Sequence, residues 1–274
     1  MDKLNSSKKR TEASDKLDGS KKKKKPVDKL VRERPYRVSS YEADASGSLG
    51  IPGLFNYLQD AASAHATVLG FGKEDLERNN MFWVLSRILV HMETIPGWEE
   101  EIIIKTWPRG LEGIFALRDF EVCGKNGKNY GAATSCWLMA DRESRRPLRP
   151  DRILEKMDGR FSENRALDRV PGKLQGIKDI SYRSPLYTVK YSDLDVNMHV
   201  NNVHYIKWAL DSYPLEYRLH NVFESAEINY LHESLPGDEI RVLAAQKEKN
   251  VFDHSVIRAN DHSELCRLRI RWKR

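Results

Sequence analysis

Cysteine is scarce. The 274 residues hold three, Cys123, Cys136 and Cys266, far apart and with no CxxC pair. That pattern excludes a disulfide framework and fits a reducing compartment with free, mostly buried thiols. Long apolar runs are missing too. None approaches the ~20 residues a membrane-spanning helix needs, so the chain reads as soluble, without membrane insertion. The N-terminus lacks the apolar segment of a secretory signal. No G-x-S-x-G elbow and no glycine-rich phosphate loop occurs, which removes the usual serine-hydrolase and nucleotide-binding readings. The eight histidines are scattered, without metal-ligand spacing.

What is present is a chain long enough for one large domain or two small ones, with 40% hydrophobic residues to build a core. The net charge of +6 sits in one place. Residues 1–33 hold 12 Lys+Arg against 6 Asp+Glu, and the remaining 241 residues hold 34 of each. The lysine-rich segment SSKKRTEASDKLDGSKKKKKP has too little apolar surface to fold. Residues 1–33 are therefore expected to be a disordered tail or added leader, with an electrostatic arm for an acidic partner as the alternative. A neutral body behind a basic tail gives no reason to expect a nucleic-acid partner.

Beyond the tail, IPGLFNYLQDAASAHATVL (51–69) places Leu54, Tyr57, Leu58, Ala61, Ala62, His65 and Leu69 on one helical face. Pro52 suits its first turn, and Gly70 and Gly72 end it. Strand-like segments follow at 82–94, 100–107, 113–123 and 130–141, with the turn KNGKN at 125–129. Residues 142–184 read as a connector with some local helix. Then the order repeats: strand YTVKYSDLD, a helix from Asn201 to about Tyr213, and four more strands. In the last, Cys266, Leu268, Ile270 and Trp272 alternate with Arg267, Arg269, Arg271 and Lys273, as a half-buried strand does. Superposed at a shift of 151 residues, the distance from Asp44 to Asp195, the two helical stripes coincide. The polar positions do not: Asn197 and His199 face Ser46 and Ser48. A duplicated module of strands around a helix implies an α+β architecture with a mainly antiparallel sheet.

The stretch DLDVNMHVNNVHYIKW (193–208) gathers hydrogen-bonding groups just ahead of a helix. A helix cap accounts for Asn201 or Asn202. It does not account for Asp195, Asn197 and His199, which alternate and would share one side of an extended segment. DLDVN begins like a calcium loop, but the required Gly is Met198 and the required Glu is His204. His199 and His204, five apart, do not share a helical face for zinc. What remains is a carboxylate, an amide and an imidazole at a helix start, whose unpaired N–H groups attract developing negative charge. That set suits polarisation of a thioester or ester carbonyl.

The same stretch closely resembles the signature of acyl-acyl-carrier-protein thioesterases, the plant plastid enzymes and their bacterial relatives. GLFNYLQDAASAHATVLGFG, FWVLSRILVHMETIPGWEEEIIIKTWPRG, AATSCWLMADRESRRPLRPD and INYLHESLPGDEI resemble further family blocks in the same order, so the likeness spans roughly residues 34–272. The resemblance implies a tandem hotdog fold: an N-terminal module over 34–141 with the acyl-chain pocket, the connector over 142–184, and a catalytic C-terminal module over 185–274. Each module would wrap a long central helix in a curved antiparallel sheet. It implies hydrolysis of fatty acyl-acyl carrier protein thioesters without metal or organic cofactor, ending or diverting fatty acid synthesis. Family catalytic roles fall on Asp195, Asn197, His199 and Glu233. The cysteine that plant members carry after that glutamate is Ser234 here, which argues against a thiolate nucleophile.

For substrate binding the resemblance points to Leu54, Leu58 and Ala62 with the strand FWVLSRI, and to Asn201 and Asn202 at the helix start. An acidic carrier protein calls for a basic docking face. The cluster Arg142, Arg145, Arg146, Arg149 and Arg152 is the first candidate, and Arg267, Arg269 and Arg271 the second. The rival activities are an acyl-CoA thioesterase and a hotdog 3-hydroxyacyl thioester dehydratase. The expected setting is a bacterial-type cytoplasm rather than the plastid stroma, and the expected state a monomer or homodimer.

Overall fold

The computed structural model describes residues 30–151, 153, 155 and 161–274. Most of the lysine-rich tail, and Arg152 of the basic cluster, lie outside the described residues. Strand β1 (Arg32–Arg37) begins two residues inside the segment assigned to the tail. Helix α1 (Ile51–Val68) follows, with Pro52 in its first turn as expected. It stops at Gly70, whose φ of 77° is a left-handed conformation that glycine adopts without steric cost. After the short α2 (Lys73–Glu77) come β2 (Met81–Met92), β3 (Glu101–Glu112), β4 (Phe115–Gly124) and β5 (Asn129–Asp141). The second half runs β6 (Tyr182–Arg183), β7 (Tyr187–Thr188), α3 (Asn202–Leu210), α4 (Leu215–His220), β8 (Val222–Tyr230), β9 (Glu239–Glu248), β10 (Val251–Arg258) and β11 (Glu264–Lys273).

All eleven strands join one antiparallel sheet in the order β1-β3-β4-β5-β2-β8-β11-β10-β9-β6, with β7 also on β9. The order reads the same from either edge when each strand is replaced by its counterpart in the other half. The α+β expectation with an antiparallel sheet therefore holds. The halves meet at β2 and β8, where Arg87 pairs with Asn229 and Val90 with Ala226. One buried cluster runs through both halves, from Leu54 and Leu58 of α1 to Ile206 and Leu210 of α3 and Ile270 of β11. The alternation read in the last strand is present: Cys266, Leu268, Ile270 and Trp272 are all buried. The three thiols are free, and Cys136 and Cys266 are buried.

One expectation about elements changes. The second helix is half the length of the first, 9 residues against 18. It ends at Asp211 because Pro214 lies three residues on and Ser212 turns its hydroxyl onto the Ala209 carbonyl. The connector crosses the sheet as a strap, held by buried polar groups. Glu227 takes both Arg169 nitrogens at 3.0 and 2.8 Å, and Asn229 pairs with Leu174 N and Gly172 O. Asp119, fully buried, accepts from Ala166 N and Thr134. Burial pushes its pKa up against these donors. None of the described helices is long and apolar enough to cross a membrane.

Candidate active site

The polar cluster does not lie on an extended segment. Leu194 and Val200 form a bridge that closes a tight turn between them. Asp195 holds the turn from inside. Its N–H donates to the His199 carbonyl at 2.8 Å, and its Oδ1 accepts from Asn197 N at 2.7 Å and His199 N at 3.3 Å. Asn197 Nδ2 donates to Asp195 Oδ2 at 3.3 Å. Met198 has φ of 63°, the left-handed value the turn needs. Sequence periodicity misses this because a turn closed by an Asp side chain has no period of two. Asn201 then caps α3 by accepting from Val203 N at 3.1 Å. Asn202 is the first helical residue, so its N–H has no acceptor within the helix.

Glu233 arrives on the loop between β8 and β9. That loop is pinned by Asp238, which accepts from Ser234 Oγ, Leu235 N and Arg258 Nε at 2.9–3.0 Å, while Arg258 Nη2 donates to the Glu233 carbonyl at 2.7 Å. Burial works against the Asp238 charge, but these donors outweigh it and hold its pKa low. Ser234 is fully buried and spent on this brace. The Glu233 side chain stands between an imidazole and a guanidinium: His199 Nε2 lies 3.5 Å from Oε2 and Arg145 Nη1 lies 3.6 Å from Oε1. The Arg145 guanidinium is also 5.2 Å above the Phe82 ring. Behind the turn, buried Asp193 accepts from Tyr187 OH and Lys190 N and sits 3.3 Å from His204 Nδ1. That His204 contact is close but poorly aligned, and the nitrogen makes no hydrogen bond. Burial lowers the His204 pKa despite the nearby carboxylate.

Two cavities meet here. One, of about 450 Å³, is lined by Asn197, His199, Tyr205 and Glu233 from the second half and by Lys73, Arg142 and Arg145 from the first. The other, of about 310 Å³, runs along α1 past Ala62 and Ala66 to Phe71, Leu76, Trp137 and Ile153. Asp195, Val196, Asn197, Asn202, Phe82, Trp83 and Leu85 line both. A mostly apolar chamber thus opens beside a polar one at the turn. Among the described residues no group of three or more His, Cys, Asp or Glu is arranged to hold a metal ion.

Residues 29–157 match the acyl-ACP thioesterase N-terminal domain family, and residues 178–274 match the acyl-ACP thioesterase C-terminal domain family. The chain belongs to the acyl-ACP thioesterase family. A palmitoyl-acyl carrier protein thioesterase of Gossypium hirsutum is 28% identical over 264 residues, which cover 89% of this chain and 64% of the relative. The chain thus spans just under two thirds of the length of that relative. The crystal structure of an acyl-ACP thioesterase from Bacteroides thetaiotaomicron superposes with a TM-score of 0.79 at 27% identity, covering 89% of this chain and 98% of the other. The 12:0-ACP thioesterase from Umbellularia californica gives 0.80 at 27% identity, covering 89% and 97%.

In this family member, Asp195, Asn197, His199 and Glu233 come together at one cavity, although 38 residues separate the first from the last. Of the expected substrate contacts, Ala62 and Asn202 line the chambers. Leu54 and Leu58 do not: each is 1% exposed and belongs to the core, and Asn201 is occupied as the cap. Apolar residues on one helical stripe look alike in sequence whether they face packed core or a chamber. The basic cluster divides. Arg142 pairs with Glu77 at 2.9 Å and Arg145 approaches Glu233, both facing the polar chamber, while Arg146 and Arg149 remain exposed. In the second candidate face, Arg267 and Arg269 are tied to Glu264 and Asp253. Phe71 and Trp137 lie within blocks that resemble the family but were not singled out there as wall residues, and Lys73 lies outside those blocks.

Proposed function

We propose that this chain hydrolyses fatty acyl-acyl carrier protein thioesters to free fatty acid and carrier thiol. The observation that carries the reading is the meeting of the two chambers, where Asn197, His199 and Glu233 border a polar space that shares lining residues, Asn197 among them, with an apolar cavity. A thioester lodged at that junction has its carbonyl beside the turn, its acyl chain along α1 and its pantetheine arm in the polar chamber. We read each half as a hotdog module, on the mirrored strand order and the repeated turn ahead of each helix. The acyl chamber belongs to the first module (34–141) and the reacting groups to the second (185–274).

In the mechanism we favour, Glu233 takes a proton from water as the water oxygen bonds to the thioester carbon. The carbonyl electron pair moves to oxygen, where Asn197 Nδ2 and the Asn202 N–H donate to it. Collapse breaks the C–S bond, and His199 passes the proton from Glu233 to the departing sulfur. We assign Asp195 to holding the turn, where its Oδ1 accepts two N–H groups, and give the attack to water. Buried Ser234 fits a mechanism with no thiolate. The exposed Arg146 and Arg149 remain for contact with the acidic carrier, while Arg142 and Arg145 sit nearer the arm.

The test is thiol release over a ladder of acyl-carrier substrates, with coenzyme A thioesters of equal acyl length alongside, for the wild type, Asn197→Ala and His199→Ala. Carrier-linked substrates are expected to turn over faster, and both variants to lose most turnover. Faster coenzyme A substrates would reassign the substrate. An enoyl thioester in place of free thiol would reassign the reaction. Single turnover in heavy-oxygen water should leave Asp195 unlabelled, and label there would replace water attack by an anhydride.

A further inference from the structure

Arg145 lies in the turn that ends β5, the last strand of the first half, where the connector begins, yet its guanidinium stands beside the carboxylate of Glu233 in the second half. The turn is built to put it there. Asp141 Oδ1 accepts from Ser144 N and Oγ at 2.8 and 2.9 Å and from Glu143 N at 3.2 Å, and Arg145 N donates back to the Asp141 carbonyl at 3.0 Å. Arg145 itself has φ of 57°, a left-handed value that costs a side-chain-bearing residue energy and that this turn imposes. Asn80 Nδ2 clamps the other Asp141 oxygen at 3.2 Å. The guanidinium then lies 5.2 Å over Phe82, a residue that lines both chambers.

Stability does not explain this arrangement. Both partners of the 3.6 Å ion pair are about half exposed, 54% and 48%, and such pairs contribute about 0–1 kcal/mol. Geometry does. Glu233 is a flexible side chain on a loop, and its two oxygens have different neighbours, Arg145 on one and His199 on the other. Fixing Oε1 leaves Oε2 turned toward the imidazole. We propose that Arg145 is a positioning residue that orients the Glu233 carboxylate from the opposite half, so that the reacting set is complete only when both halves are docked. This rests on the reading of Glu233 as the base and goes beyond it by assigning Arg145 to the reaction instead of to carrier docking.

The experiment is a double-mutant cycle with Arg145→Ala, Glu233→Gln and the pair, plus Arg145→Lys, on a short acyl thioester of a small thiol that has no carrier to dock. Single-turnover rates keep the slow variants measurable, and melting midpoints check folding. Arg145→Ala is expected to lower kcat by about 10- to 100-fold, the scale of a misplaced catalytic group, with KM within about twofold. Arg145→Lys should recover part of the loss. In the Glu233→Gln background the same change should cost less than about twofold, because there is no carboxylate left to orient. Equal losses in both backgrounds, a change confined to KM, or a loss seen only with carrier-linked substrates would each overturn the proposal. Full activity in Glu233→Gln alone would instead overturn the assignment of the base.

Discussion

Residues 38–50 and 189–201 follow the same backbone path with different side chains. At the shift of 151, Gly50 N to Glu42 O matches Asn201 N to Asp193 O, and Asp44 N to Ser48 O matches Asp195 N to His199 O, each pair within 0.1 Å. Asp44 Oδ1 accepts from Ser46 N at 2.9 Å as Asp195 Oδ1 accepts from Asn197 N at 2.7 Å. Gly47 and Met198 share the left-handed position, φ 76° and 63°. Leu49 N donates to Pro96 O where Val200 N donates to Ser234 O, so the residue at the place of Glu233 in the first half is Ile95. The first half therefore has the turn, its aspartate and the helix start, but Ser46, Ser48 and Ile95 where the second has Asn197, His199 and Glu233. Asp195 shares its turn-closing contacts with Asp44, so those contacts by themselves mark no chemistry. Under the proposed mechanism, the three side chains unique to the second half are the ones assigned to the reaction.

The sharpest way to break this comparison is to alter the unmatched positions. His199→Ala and Asn197→Ala are each expected to reduce thioester hydrolysis by about 10²–10⁴-fold, whereas Ser46→Ala and Ser48→Ala should leave it within about twofold. Comparable losses in the first half would mean that both turns react.

The two cores also differ. His65 of the first half has the Arg118 guanidinium at 3.0 Å, while His254 of the second is 1% exposed and neither ring nitrogen makes a hydrogen bond among the described residues. Burial holds the His254 pKa down at about 4 against an ordinary 6.5. The unfolded chain binds this proton below about pH 6.5, and the folded chain resists it until about pH 4. Its stabilising effect is therefore full above pH 6.5, falls as the pH drops towards 4 and levels off below, a span of about 3 kcal/mol. Denaturant midpoints measured from pH 7 to 4 should show the fall, and His254→Phe should flatten it.

A smaller effect tests the shared role of the aspartates. Asp44→Ala and Asp195→Ala should each lower unfolding free energy by about 2 kcal/mol, the loss of charged hydrogen bonds to backbone N–H groups. Clearly unequal losses would deny that the two turns are alike. The smallest effect lies at the left-handed position. Gly47→Ala should cost about 1 kcal/mol from conformation alone, because a Cβ there meets nothing within 4 Å. Met198→Gly should gain a similar amount, and its activity would show whether the methionine lining the polar chamber also serves the substrate.

Parts of this were plain in the sequence. The alternation in 266–273, the stripe on α1 and the repeat at 151 all report local geometry, because a strand or helix imposes its period on whatever it buries. Strand β2 reads less clearly. It lies at the seam between the halves and has a bulge between Leu85 and Arg87, so no simple alternation survives. The resemblance points to Leu54 and Leu58 as chamber residues, but they are packed core, and an apolar stripe does not say which of its members meets a packed neighbour and which an empty space. The opening along α1 passes Ala62 and Ala66, where small side chains leave room.

Local order along the chain thus determined the strands, the helix starts, the duplication and the unusual composition of residues 193–202, since each depends on neighbours a few positions apart. Tertiary structure alone decided that Arg145 and Glu233 would meet and that a polar and an apolar chamber would share a wall. Those outcomes depend on the pairing of β2 with β8, which joins segments more than a hundred residues apart and leaves no period in the chain by which to foresee them.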